Sequence, residues 1–179
     1  MKTKSRSPVS KTLRKTETEQ FRENIIDLAP LVMHLGRIIV PLDMSELSLK
    51  ALRYAVPFAK QFNAKLTLVH VVEMMAYTPE LPYPPPLSQF KTTAAKKELA
   101  KIRDENVPPE VPTELVVCHD FAPDAIVATA RKTKADLIIV STHGHTGLKH
   151  MFLGSTAEKV VRQAPCPVLV VREKEHDFV

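Results

Sequence analysis

The sequence predicts an α/β protein: an open five-stranded parallel sheet with helices on both faces and its first strand central. Three observations carry this prediction. Short apolar runs recur along the chain: Ile38-Ile39-Val40, Leu66 to Val72, Leu115-Val116-Val117, Leu137 to Val140 and Val168 to Val171. Stretches with helical spacing of their apolar residues separate them, so strands and helices alternate. Finally, the chain has only 4 Gly, and three of them (Gly144, Gly147, Gly154) lie in one stretch, Ser141 to Ser155, between the fourth apolar run and a helix start.

Length and charge bound the rest. The 179 residues suit one domain with a tail, and a 44% hydrophobic content can form a sizeable core. Cys118 and Cys166 are too few for a disulfide framework or a zinc ribbon, which suits a reducing cytoplasm. No apolar run approaches the roughly 18 residues of a membrane span. The N-terminus also lacks the apolar core of a secretory signal. Six basic residues and no acid fall in residues 1–15, so the remaining chain is close to neutral against a total of +5. We read residues 1–18 as a disordered extension rather than a transit peptide or a nucleic-acid arm. Residues 1–35 form this basic extension, with a short helix from Gln20 to Leu35 on the spacing of Phe21, Ile25, Leu28, Val32 and Leu35; residues 36–174 form the domain.

The elements follow in order. Arg37 to Asp43 is the first strand and its exit. Ser45 is a candidate N-cap for a helix whose stripe is Leu47, Ala51, Ala55, Phe58, Ala59 and Phe62, with a kink expected at Pro57. Asn63-Ala64 reads as a turn, and Lys65 to Val72 as the second strand. Residues 73–88 form a proline-rich crossover. Ser88 to Asn106 is an amphipathic helix along Phe90, Ala94, Leu99 and Ile102, stopped by Pro108-Pro109. Thr113 to Cys118 is the third strand. Phe121 to about Thr133 is a helix with Pro123 in its first turn. Asp136 to Val140, a helix from Ser155 to Ala164, and Pro167 to Val171 complete the chain.

Ser155 followed by Glu158 has the spacing of a capping box. A helix start presents unpaired N–H groups and the positive end of a dipole, and glycines let the backbone approach a ligand. The order strand, Gly-rich loop, helix start therefore predicts a phosphate site between Gly144 and Thr156. It is neither a Walker A loop nor a GxGxxG fingerprint. In an open sheet, ligands bind beyond the C-terminal strand ends where the winding reverses. With the first strand central, that point lies between strands one and four, and Asp43, Ser141 and Gly144 share one rim.

The sequence resembles the universal stress protein family from about Gly36 to Arg172. The resemblance rests on IIVPLDMSELSLKAL, LTLVHVV, ADLIIVSTHGHTGLKHMFLGSTAEKVV and APCPVLVVR. It implies a Rossmann-like fold with strand order 3-2-1-4-5 that binds ATP. The ATP-binding signature is Gly, two residues, Gly, nine residues, Gly, then Ser or Thr. Gly144 and Gly154-Ser155 fit it, whereas Ser141 stands where its first Gly belongs. By this resemblance Pro41 and Leu42 border the adenine, Val71 pairs its backbone with the adenine edge, and Asp43 bonds the ribose. Val140 and Ser141 line the site at the end of strand four. Gly144 and Gly154 bring N–H groups to phosphate, and Ser155 and Thr156 bind phosphates at the helix start. Mg²⁺ is held through phosphates and water. A homodimer through the last strand, Val168 to Val171, and an unidentified protein partner are implied as well.

Simpler roles exist for the same residues. Asp43 can serve only as a turn residue, Val71 only as core, and Ser155 only as a cap. His143, His145 and His150 lack a clear further ligand for zinc. Cys166 between prolines reads as packing. No residue is placed as a general base beside a nucleophile, so any ATP hydrolysis would be slow. The functions in play are an ATP-binding stress-response regulator, a nucleotide-free scaffold of the same fold, a weak ATPase and, as a minor option, nucleic-acid binding through the basic tail.

Overall fold

The computed structural model describes residues 34–72, 85–142 and 153–174, with side chains of the helix that opens at Pro85 described from Phe90 onward. The chain divides into two units, Met1–Met33 and His34–Val179, and the described residues belong to the second. The expected helix up to Met33, the proline-rich crossover through Pro84 and the His-rich loop at 143–152 lie outside the described residues.

Nine elements alternate among the described residues: β1 (Arg37–Pro41), α1 (Glu46–Phe62), β2 (Lys65–Val71), α2 (Pro85–Asn106), β3 (Thr113–Cys118), α3 (Ala122–Thr133), β4 (Leu137–Ser141), α4 (Ser155–Gln163) and β5 (Val168–Val171). β1 pairs in parallel with β2 on one side and β4 on the other. The sheet order is β3-β2-β1-β4-β5, as expected.

Side-chain alternation divides the core into two layers. Ile38, Val40, Leu66, Leu68, Leu137 and Ile139 face α1 and α2, meeting Leu52, Ala55, Leu99 and Ile102. Ile39, Val69, Ile138 and Val140 face the other way, onto Ile126 and Ala130 of α3 and Ala157 and Val160 of α4. Strands buried on both faces explain the unbroken apolar runs. No helix among the described residues is long and apolar enough to cross a membrane.

Local signals explain most boundaries. Ser45 caps α1 by accepting the Ser48 N–H at 3.2 Å. Glu46 and Lys60 complement the helix dipole at its two ends. Asn63 closes α1 in the left-handed region at φ 51°. α1 is continuous across Pro57. Arg53 and Pro57 are both exposed, so the carbonyl left without a helical donor faces water.

Three expectations need correction. α2 begins at Pro85 rather than Ser88, and its proposed stripe is not one face. Leu99 is fully buried while Phe90 is 72% exposed. Nine residues at about 100° each place these two on opposite sides of the helix. Leu35, read as the end of an apolar helical stripe, lies in a non-helical lead-in to β1 and is buried in the core of the domain. Ser155 is not the N-cap of α4. That position belongs to Gly154, whose carbonyl accepts the Glu158 N–H at 2.9 Å. The helix therefore starts one residue before a capping box would place it.

Candidate functional site

β1 and β4 are adjacent, but their onward connections run to opposite faces of the sheet. A cleft of about 430 Å³ opens at their C-terminal ends. Nine of the ten residues read from the sequence as ligand contacts line it. Pro41, Leu42 and Asp43 come from the exit of β1, and Val71 from the end of β2. Val140 and Ser141 close β4, and Gly154, Ser155 and Thr156 open α4. The tenth, Gly144, lies outside the described residues.

The exit of β1 is a tight turn. Met44 takes φ 67°, an uncommon conformation for a residue with a side chain. Asp43 Oδ1 accepts the Ser45 N–H at 3.0 Å and also the Ser45 hydroxyl. The same hydroxyl accepts from Ser48, so the carboxylate is held by a short chain of hydrogen bonds. Asp43 is therefore a turn residue, and it also lines the cleft.

Val71 extends past β1. The last paired residues of β1 and β2 are Pro41 and Val69. Val69 directs its carbonyl toward β1, where the Leu42 N–H meets it at 2.8 Å. Val72 directs its N–H toward β3, to Cys118 O at 2.9 Å. Backbone groups alternate sides along a strand, so the N–H and C=O of Val71 point to the β1 side, beyond the last paired residue of β1.

Ser141 is 8% exposed and pairs with Val171 across the β4–β5 ladder. Among the described residues, the non-glycine residues with positive φ are Met44, Asn63 and Lys134, so the backbone at Ser141 is one that any residue adopts. Just beyond it, Thr142 donates its N–H to Val171 O at 2.9 Å and accepts the Gly154 N–H at 2.7 Å. That second bond ties the residue after β4 to the N-cap of α4 beside the cleft.

Of the three helices that line the cleft, α3 and α4 begin without side-chain caps. Neither Gly154 at α4 nor Phe121 at α3 supplies one, and Ala122 lines the cleft together with the first residues of α4. The first-turn N–H groups of a helix have no intrahelical acceptor. The cleft therefore meets the positive ends of two helix dipoles, which favour a negative group. Ser155, as the first residue of α4, adds an exposed hydroxyl.

Sequence reasoning passed over His70, which lines the cleft with its Nδ1 2.7 Å from Leu42 O. A histidine inside an apolar strand gives no periodic signal, and its contact depends on the stagger between β1 and β2. Among the described residues no group of three or more His, Cys, Asp or Glu could hold a metal ion. Cys166 is half-buried and packs on the α3–α4 layer. Burial, and secondarily the Asp136 carboxylate, push its thiol above the usual range. A thiol held protonated is a poor nucleophile, which fits a packing role.

A doubly wound parallel sheet with a ligand crevice where its winding reverses defines a broad class of α/β binding proteins. Within that class the chain belongs to the universal stress protein family, whose profile matches residues 34–172. It is 34% identical over 146 residues to universal stress protein MJ0531 of Methanocaldococcus jannaschii, covering 79% of this chain and 84% of that one. It is 36% identical over 150 residues to universal stress protein A homolog 1 of Coxiella burnetii, covering 80% and 100%. The solved structure of the hypothetical protein MJ0577 superposes with a TM-score of 0.72 at 27% identity, covering 80% and 100%. Two further structures share the fold: a universal stress protein in complex with cAMP (TM-score 0.58, 22% identity, covering 79% and 100%) and one from Archaeoglobus fulgidus in complex with dAMP (0.51, 24%, covering 77% and 98%).

Proposed function

We propose that the cleft binds an adenine nucleotide, ATP with Mg²⁺, and that the protein acts in the stress response as a nucleotide-responsive regulator in the cytoplasm. The observation that carries this reading is the convergence on one cleft of a strand-end carboxylate, an outward-turned strand backbone and two uncapped helix starts. Each suits a different part of a nucleotide. The base lies against Pro41 and Leu42, with its edge on the Val71 backbone. Asp43 accepts from a ribose hydroxyl. Phosphates meet the N–H groups of Ser155 and Thr156, the Ser155 hydroxyl, and Gly144, while Gly154, whose own N–H goes to Thr142 O, lines the cleft as the N-cap of α4. Val140 and Ser141 form the floor between them. Two fold relatives whose structures are in complex with cAMP and dAMP make an adenine nucleotide the natural ligand to test.

Ser141 in place of the signature glycine does not count against this reading, because its backbone needs no glycine. The described donor set suits Mg²⁺ only indirectly, since it holds no carboxylate cluster to form a protein cage. The ion would bridge phosphate oxygens and neutralise their charge. Asp43 already holds the β1 turn through one oxygen, and no second carboxylate is described beside it. That arrangement favours binding over hydrolysis.

β5 is the edge of the sheet, and Val168, Leu169 and Val170 are half-buried. An apolar edge strand is a ready site for pairing, so the protein forms a homodimer through Val168 to Val171. Sedimentation showing only monomer at micromolar concentration would remove the dimer from this reading.

The test of function is direct. Heat extraction of the purified full chain followed by mass spectrometry should release an adenine nucleotide. Calorimetry with ATP and Mg²⁺ should show saturable binding below millimolar ATP. No nucleotide and no heat would leave the nucleotide-free scaffold as the better reading, and phosphate release above background would favour a weak ATPase.

A further inference from the structure

β1 parts from β2 at Leu42, and a side chain accounts for it. In a parallel ladder, a residue that donates its N–H to one carbonyl of its neighbour receives, at its own C=O, the N–H two residues further along that neighbour. Leu42 donates to Val69 O at 2.8 Å, so the ladder would continue with the Val71 N–H on Leu42 O. No such bond occurs among the described residues. Instead, Leu42 O is met by His70 Nδ1 at 2.7 Å. A carbonyl oxygen only accepts, so Nδ1 carries the proton and donates it. Beyond this contact the chain turns sharply through Asp43 and Met44 rather than following β2.

We propose that His70 is a positioning residue of the cleft: its Nδ1–H replaces the Val71 N–H on the Leu42 carbonyl, and so presents the Val71 N–H to the base of the ligand. This rests on the nucleotide reading above. It also names the chemistry recognised. The Val71 N–H suits a base whose edge offers an unprotonated ring nitrogen, as adenine does. Hypoxanthine carries a proton on that nitrogen and would set donor against donor.

Three measurements on the full chain test this. Long-range imidazole ¹⁵N correlation spectra of the ligand-free protein should show the Nδ1–H tautomer for His70; the Nε2–H tautomer would overturn the proposal. Hydrogen exchange at the Val71 amide should slow in His70→Phe, because the released Leu42 carbonyl can then take that N–H; unchanged exchange in a folded variant would also overturn it. Calorimetry separates donor position from bulk. His70→Asn keeps an N–H donor at the same number of bonds from Cβ as Nδ1 and should bind ATP within about threefold of wild type. His70→Gln, with its donor nearer the Nε2 position, and His70→Phe should each bind about tenfold more weakly and lose preference for ATP over ITP. Gln rescuing where Asn fails would refute the role. If ATP binds neither the wild type nor any variant, the nucleotide reading falls, while tautomer and exchange still decide whether the ring displaces Val71 from the ladder.

Discussion

The two rims of the sheet are built on opposite principles. At the N-terminal rim the strand starts satisfy one another. Asp136 Oδ2 accepts the N–H groups of Gly36 and Arg37, each at 2.9 Å. Arg37 returns its guanidinium to the carbonyls of Thr133 and Lys134, and its own carbonyl accepts the Asp136 N–H. Lys65, Leu66 and Ile138 each begin their strands with a bond to the segment before the neighbouring strand. At the C-terminal rim α1 has a side-chain cap, while α3 and α4 start without one and Val71 turns its backbone outward. One rim uses its polar groups to hold the sheet together. The other starts two of its helices without side-chain caps and carries Val71 past the last paired residue of β1. The proposed binding therefore belongs to the second rim and stability to the first, and substitutions should separate the two.

The largest separation is expected at Gly154. Its backbone, at φ −66° and ψ 152°, accepts any residue, so Gly154→Asp should fold normally. An Asp there can cap α4, which raises stability by a few tenths of a kcal/mol in urea unfolding. The same carboxylate would face the phosphates and should weaken ATP binding by about a hundredfold or more in calorimetry. Equal affinity in the folded variant would mean that phosphate does not sit at this helix start. Asp43→Ala should also remove measurable binding, because it deletes the proposed ribose acceptor and loosens the turn at Met44.

Asp136→Ala should do the reverse. It leaves two strand-start N–H groups without a charged acceptor and should cost about 1.5–3 kcal/mol by urea unfolding. ATP affinity of the folded protein should stay within error of wild type. A matching loss of affinity would show that the two rims are coupled rather than separate.

The legible parts of this molecule are those set by local patterns. The five apolar runs are the five strands because both faces of the sheet are covered, and the strand order is the one the family resemblance implies. Gathering nine site residues at one rim needed only that topology. What escaped was set by phase or by contacts across the sheet. Phe90 and Leu99 looked like one stripe because each is apolar, yet the helix places them on opposite sides. Ser155 and Glu158 matched a capping pattern, but Gly154 already supplied the carbonyl that starts α4. The bond between His70 and Leu42 spans 28 residues and depends on register, which no local pattern encodes.

A smaller effect is expected at Cys166, which sits near the closed rim. Burial first, and then the Asp136 carboxylate, raise its thiol, so less thiolate is present at a given pH than for an ordinary cysteine. Alkylation at pH 8 should therefore be slower than for a small-molecule thiol. Asp136→Asn removes the second cause alone and should accelerate it modestly. A rate equal to that of the free thiol would mean the group is more exposed than the packing indicates.

The smallest expected effect bears on the residue that departs from the family signature. If the signature glycine were needed for its backbone, Ser141 would have to adopt a strained conformation. It does not: it has ordinary strand geometry and pairs with Val171. If glycine were needed for space, Ser141→Gly should tighten ATP binding. Alternation along β4 puts Ser141 on the face of Leu137 and Ile139, the α1 side of the sheet, whereas the α4 start lies on the side of Val140 and Ala157. The Ser141 side chain therefore projects away from the proposed phosphate half. Ser141→Gly should change ATP affinity less than about threefold while lowering stability by about 0.5–1 kcal/mol, the usual cost of glycine within a strand. Tightening by tenfold or more would place the ribose or phosphates on the α1 side, and would move the proposed nucleotide across the sheet.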